Sequence, residues 1–172
     1  MGDAKAFLQR LDESRAPLLA DGAMGTMLHT RGVAFSTCFD ALNLTQPAVV
    51  AEVHRAYIDA GSEIILTNTF GGSRFRLKEY GKEGEVARFN RAAAELAKAV
   101  AGEFDALVFG DLGPSGQMLA PLGTVTEEEL FEAFREQARA LVEGGVDALI
   151  VETMTSAGEL AVAVRAARSV GD

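Results

Sequence analysis

The stretch Val146-Asp147-Ala148-Leu149-Ile150-Val151-Glu152-Thr153-Met154 decides the fold. Its four central residues are all apolar and do not alternate with polar ones, which is how a strand buried on both faces reads. The segment has an echo upstream, where Phe104-Asp105-Ala106-Leu107 repeats the chemistry of Val146-Asp147-Ala148-Leu149. Glu63 opens a third such run, Ile64-Ile65-Leu66, and Leu18-Leu19-Ala20 forms a fourth. Glu63, Asp105 and Asp147 follow one another at intervals of 42 residues. A fixed interval of that size marks a repeated supersecondary unit. At the strand N-terminal ends these three acids are expected to face solvent.

A stretch with helical character follows each run. Residues 47–60 carry Val49, Val50, Val53, Tyr57 and Ile58 at helical spacings. Thr45 and Gln46 suit a capped start, Pro47 belongs in the first turn, and Gly61 closes the helix. Residues 85–100 are rich in alanine and end at Gly102. Residues 126–142 open with the capping-box pattern Thr126-Glu127-Glu128-Glu129. Residues 156–170 form the last helix, with Glu159 expected as the acid of a second box. The order is β-α four times over, which predicts a parallel sheet. A doubly wound sheet and a (β/α) barrel are both built this way. A complete barrel needs eight strands and ~250 residues, and this chain of 172 residues offers four units. Residues 28–44 make a long first βα loop, expected to be functional or to carry its own small structure.

Bulk composition narrows the function classes. Apolar residues make up 48% of the chain, enough for a real core. The net charge of −9 argues against nucleic acid and against an anionic membrane surface. No run approaches ~18 apolar residues, so no membrane span is expected. Residues 1–10 are charged and lack the apolar core of a signal peptide. The single cysteine, Cys38, excludes an internal disulfide and fits a reducing compartment. Cytoplasm is the expected location.

In both architectures ligands gather at the C-terminal ends of the strands. Those ends read Asp21-Gly22-Ala23, Thr67-Asn68-Thr69-Phe70, Gly110-Asp111-Leu112-Gly113-Pro114 and Glu152-Thr153-Met154. Three converging carboxylates with Thr67, Asn68 and Thr69 suit an ammonium group, as at the amino end of an amino acid. The competing reading is turn structure, with Asp21 capping a turn beside Gly22. Gly22, Gly25, Gly71, Gly72, Gly110, Gly113 and Gly116 cluster at the same ends. They serve sharp turns at least as well as ligand contact, and they match neither the dinucleotide fingerprint nor a P-loop. Cys38, His29 and His54 fall short of a local zinc set by ligand count. No Ser-His-Asp arrangement can be assembled from spacing. Met24 and Met27 read as packing under the first loop.

These residues also carry a resemblance. Asp21-Gly22-Ala23-Met24-Gly25-Thr26-Met27-Leu28 resembles the opening signature of the homocysteine-binding domain of cobalamin-dependent methionine synthase. In the same order come Ala41-Leu42-Asn43-Leu44-Thr45-Gln46-Pro47, His54-Arg55-Ala56-Tyr57 and Ala60-Gly61-Ser62-Glu63-Ile64-Ile65. Thr67-Asn68-Thr69-Phe70, Gly113-Pro114-Ser115-Gly116 and Glu152-Thr153-Met154 complete the series. The resemblance implies that residues 1–172 are the N-terminal half, four βα units, of a (β/α)8 TIM barrel. It implies homocysteine bound at the strand ends, with Asp21, Gly22, Ala23, Asn68, Thr69 and Glu152 in the pocket. The implied chemistry is zinc-assisted transfer of a methyl group from methylcobalamin, with folate recharging the cobalamin. Cobalamin- and folate-binding domains of a longer chain are the implied partners. The family's zinc ligands are three cysteines on later strands. Cys38 matches none of them, so the chain as it stands is expected to lack the zinc and not to turn over by itself. A betaine- or S-methylmethionine-dependent barrel, and a non-catalytic half-barrel that self-associates, are the alternatives.

Overall fold

The computed structural model describes residues 4–171. In chain order the elements are α1 (Ala4–Glu13), α2 (Met24–Thr30), α3 (Leu42–Thr45), α4 (Pro47–Asp59), β1 (Ile64–Leu66), α5 (Arg74–Lys78), α6 (Val86–Ala101), β2 (Leu107–Leu112), α7 (Glu127–Glu143), β3 (Ala148–Val151) and α8 (Ala157–Arg168). Short 3-10 turns at Phe39–Ala41 and Glu83–Glu85 precede α3 and α6. None of the described helices is long and apolar enough to cross a membrane. The long first loop carries its own structure, as expected: α2, a 3-10 turn and α3.

The strands form one parallel sheet in the order β1-β2-β3. Ile64 pairs with Leu107 and Leu66 with Phe109, while Phe109 pairs with Ala148 and Leu112 with Val151. Each crossover carries a helix, as parallel pairing requires. The result is an α/β architecture of the partial TIM-barrel kind.

The core lies between the sheet and its crossover helices. Ile65, Val108 and Leu112 pack on Ala94, Ala97 and Ala101 of α6 and on Ala138 and Leu141 of α7. The alanine-rich face of α6 lets that helix sit close to the strands. A second cluster joins Leu130 and Phe134 of α7 to Val162, Ala163 and Ala166 of α8. A third joins Leu28, Leu42, Val50 and Val53, with Met24 and Met27 against it, matching the packing role read for those methionines. Strand side chains alternate between faces. Phe109 and Asp111 therefore point away from the helices. Phe7 of α1 meets Phe109 edge-on at 5.1 Å. This second face is thus covered by α1 toward one end and left open toward the C-terminal ends.

The structure corrects several sequence expectations. The first strand shrinks to one parallel bridge, Ala20 to Ile64. Its ladder ends there because the Asp21 carboxylate, not a carbonyl, takes the next amide, Leu66 N, at 3.0 Å. β3 is only half-buried along its length, because it lies at the edge of this sheet. Asp147 does not face solvent: it is buried, paired with Lys98 at 2.8 Å, and accepts from Val108 N. Glu63 accepts weakly from Leu19 N at 3.4 Å and faces Arg10, while the Asp105 side chain is exposed. Two of the three repeated acids thus accept from an amide of the preceding run.

Helix ends follow the sequence in part. The Thr126–Glu129 capping box forms in full, and Gly61 ends α4 with φ +105°. Pro47 sits in the first turn of α4, but no side chain caps that start; the Thr45 hydroxyl donates to Ala41 O instead. Ser156 caps α8, but Glu159 closes no box. Its carboxylate accepts from Ser115 N at 2.8 Å and from the Ser115 hydroxyl. A buried tertiary partner outcompetes the local one.

Two buried amides brace the loop after β1. Gln137 Nε2 donates to Thr69 O at 2.8 Å, and Asn90 Nδ2 donates to Gly72 O at 2.9 Å. Gln137→Leu keeps the volume and removes that donor. It is expected to cost about 1–3 kcal/mol of unfolding free energy, read from urea denaturation.

Candidate functional site

A cavity of about 610 Å³ opens at the C-terminal ends of the strands. Its wall contains all six residues expected from the sequence: Asp21, Gly22, Ala23, Asn68, Thr69 and Glu152. Asp40, Arg76 and Asp111 line it as well. Four carboxylates therefore face one arginine. Elements far apart in sequence bring them together: the bridge segment, the 3-10 turn before α3, and the ends of β2 and β3.

Each carboxylate has a distinct environment. Asp21 Oδ2 is held by Leu66 N, while its Oδ1 is buried without a partner. Burial, reinforced by Glu152 nearby, pushes the Asp21 pKa up to about 7. Asp21 thus caps no turn beside Gly22: one oxygen takes an amide of the neighbouring strand 45 residues on, and the residue lines the cavity. Asp111 is 4% exposed and its Oδ1 is also unpartnered. Burial, then the charges of Glu152, Asp40 and Asp21, push it up to about 8. Asp40 is buried with an unpartnered Oδ1, and burial pushes it up to about 7 despite Arg76. Charge of this kind in a half-closed site is costly unless a cation or a proton answers it.

Asn68 and Thr69 shape the wall rather than offer free donors. Asn68 Nδ2 donates to Phe39 O at 2.7 Å. The Thr69 hydroxyl donates to Asp111 O at 2.8 Å and shares a 2.6 Å contact with the Thr67 hydroxyl. Thr67 Oγ1 in turn accepts from Asp111 N at 3.0 Å. Thr67, Thr69 and Gln137 thus clamp the Asp111 backbone and leave its carboxylate to the cavity. Gly113 allows close approach on the far side, since a Cβ there would collide with Phe70 O.

Asp40 is the residue that strand-end reading misses, because it lies in the long first loop. Its one sequence signal is adjacency to the string 41–47. His29, Cys38 and His54 stand outside the cavity wall. His29 meets Val33 O at 3.0 Å and stacks on Phe35. Neither nitrogen of His54 has a partner, and burial pushes its pKa down to about 4. Cys38 is buried among Ala41, Leu77, Val86 and Phe89. Among the described residues no three His, Cys, Asp or Glu side chains group as a metal site. The residues present do not fit the thiolate-bound zinc that the resemblance implies.

The raised carboxylates give a pH signature. Asp21, Asp40 and Asp111 hold protons more tightly folded than unfolded. Their stabilisation is full in acid and is lost as pH climbs through about 7 to 8. Asp111→Asn removes one such loss. It is expected to raise stability at pH 8 by on the order of 1–3 kcal/mol, with a smaller effect at pH 5, read from thermal unfolding at both.

The chain's likeness to known proteins agrees with this architecture. It superposes on the homocysteine methyltransferase MmuM from Escherichia coli in its metallated form, with TM-score 0.81 and 24% identity over 94% of this chain. The apo form of that enzyme gives TM-score 0.72 at 24% identity over 92% of this chain. The chain spans 62% of the length of the first and 57% of the second. Residues 18–171 match the family model described as homocysteine S-methyltransferase. On that match, the chain belongs to the homocysteine S-methyltransferase family.

Proposed function

We propose that this chain binds homocysteine in the strand-end cavity and presents it for S-methylation. In this reading it is the front part of a methyltransferase of the methionine synthase type. The observation that carries the reading is the pair of unpartnered buried oxygens, Asp21 Oδ1 and Asp111 Oδ1, in a cavity shared with Glu152. An ammonium group has three N–H donors, and these three carboxylates offer it three acceptors. Phe35 and Phe70, in the same wall, supply apolar surface for the methylene chain.

Methylcobalamin is the donor that comes with the methionine synthase type, and Thr67-Asn68-Thr69-Phe70 is the string that favours that type. In the transfer the sulfur–methyl bond forms, the donor–methyl bond breaks and the thiol gives up its proton. The residues described here bind and orient the amino acid. Activation of the sulfur is not among their tasks, since no thiolate set stands in the cavity. Cobalamin- and folate-binding domains are the partners this reading calls for.

Calorimetric titration of the purified chain with homocysteine and with its des-amino analogue tests the proposal. Homocysteine is expected to bind and the analogue to bind at least tenfold more weakly, the loss expected for a charge-assisted contact. Asp21→Asn and Glu152→Gln are each expected to weaken homocysteine by a similar factor. Because the cavity carboxylates hold protons without ligand, affinity is expected to rise between about pH 6 and pH 8. Equal affinity for the two compounds would sink the ammonium assignment.

A further inference from the structure

The string 41–47 stands behind the cavity wall rather than in it. Two distant parts of the chain meet in front of it. Phe35, Thr37, Phe39 and Asp40 bring the long first loop to the cavity, and Asn68 and Gly71 belong to the end of β1. Asn43 of α3 lies between the two and is 3% exposed. Its Nδ2 donates to Asp40 O at 2.8 Å and to Asn68 O at 2.8 Å, so both N–H groups are spent on backbone carbonyls of wall residues. Asn68 answers in the other direction. Its Nδ2 donates to Phe39 O at 2.7 Å and more weakly to Asn43 Oδ1 at 3.4 Å. The bond to Asp40 O is local, of the kind a short turn makes by itself. The other three cross from the loop to the strand end, 25 to 29 residues away. The Asp40 carboxylate adds little hold of its own: Oδ1 is unpartnered, and Gly71 merely makes room for Oδ2, which a Cβ there would meet at 2.8 Å.

We propose that Asn43 is a positioning residue: by clasping the first loop to the end of β1 it sets Asp40 and Asn68 in the cavity wall, and so sets the affinity of the site without touching the ligand. This rests on the amino-acid reading above. Packing holds α3 independently of the clasp. Leu42 is buried with Leu28, Val50 and Val53, and Ala41 with Leu77, Val86 and Phe89. Loss of the Asn43 amide therefore leaves α3 docked and frees the Phe39–Asp40 turn from the strand end. A binding wall displaced by a fraction of an ångström loses affinity, because its contacts are made only in the held geometry. The alternative is a bridge that stabilises the fold and does nothing else. The two differ in how the folded protein binds, since a purely stabilising bridge changes the melting temperature and not the affinity.

Calorimetric titration with homocysteine, run on purified chains well below their melting temperatures, separates them. Asn43→Ala is expected to weaken homocysteine about tenfold. Asn43→Ser keeps a hydroxyl for the local bond to Asp40 O but is too short for Asn68 O, and it is expected to fold and still lose most of that affinity. Lys98→Met breaks the ion pair with Asp147 at the opposite end of the sheet. It is expected to lower the melting temperature and leave homocysteine affinity unchanged. Hydrogen exchange without ligand gives a second readout: residues 35–43 are expected to exchange faster in both Asn43 variants and at the native rate in Lys98→Met. Asn43 variants that melt earlier but bind homocysteine as the native chain does would make Asn43 a structural bridge only, and the assignment falls. Should Asn43→Ala fail to fold, Asn43→Ser decides by the same measure. If homocysteine does not bind the native chain at all, the amino-acid reading itself fails, and this assignment with it.

Discussion

A parallel sheet must end somewhere, and at its end the backbone amides and carbonyls lose their ladder partners. Here side chains take over. Asp21 accepts from Leu66 N, Thr67 accepts from Asp111 N, and Thr69 and Gln137 donate to Asp111 O. An unpaired buried amide or carbonyl would cost about as much as a lost hydrogen bond, so this handover holds the strand ends in place. The site depends on it. By fixing the backbone of Asp111 and one oxygen of Asp21, it sets both residues in the cavity wall.

The electrostatics follow from that geometry. Four acids share a wall with one arginine, and three of them carry an oxygen that no group among the described residues answers. Without ligand the cavity relieves the strain by holding protons, which is why burial and mutual repulsion raise Asp21, Asp40 and Asp111 together. A cationic ligand relieves it without protons. Proton and ligand are therefore alternatives for the same oxygens.

The opposite end of the sheet uses the same device for stability alone. Asp147 accepts from Val108 N and pairs with Lys98, and Glu63 reaches Leu19 N. These acids sit at matching points of a 42-residue repeat, yet the pairing register does not copy the interval: Ile64 meets Leu107 and Phe109 meets Ala148. The repeat is one of units, and the ladder settles its own offsets. Asp105, the third acid, is left outside with φ +58° and its side chain exposed.

Much of the fold was legible in the chain. The unbroken apolar runs, the alanine face of α6 and the capping box at Thr126 are local patterns, and local patterns act through short-range sterics and hydrogen bonds. The strand ends likewise announced Asp21, Asp111 and Glu152, because strand position alone sets which end faces the ligand. Other features have no local signal. The run at 18–20 reads as a strand but keeps one bridge, because a side chain replaces the ladder. Glu159 reads as a capping acid but serves Ser115, 44 residues away. Asp40 and Arg76 lie in or after loops whose paths are set by packing against α6 and α7, so only the folded chain brings them to the cavity. The sequence by itself determined the βα units and the chemistry at their ends. Tertiary structure alone decided which oxygens stay unpaired and which arginine faces them, since those are outcomes of competition between distant partners.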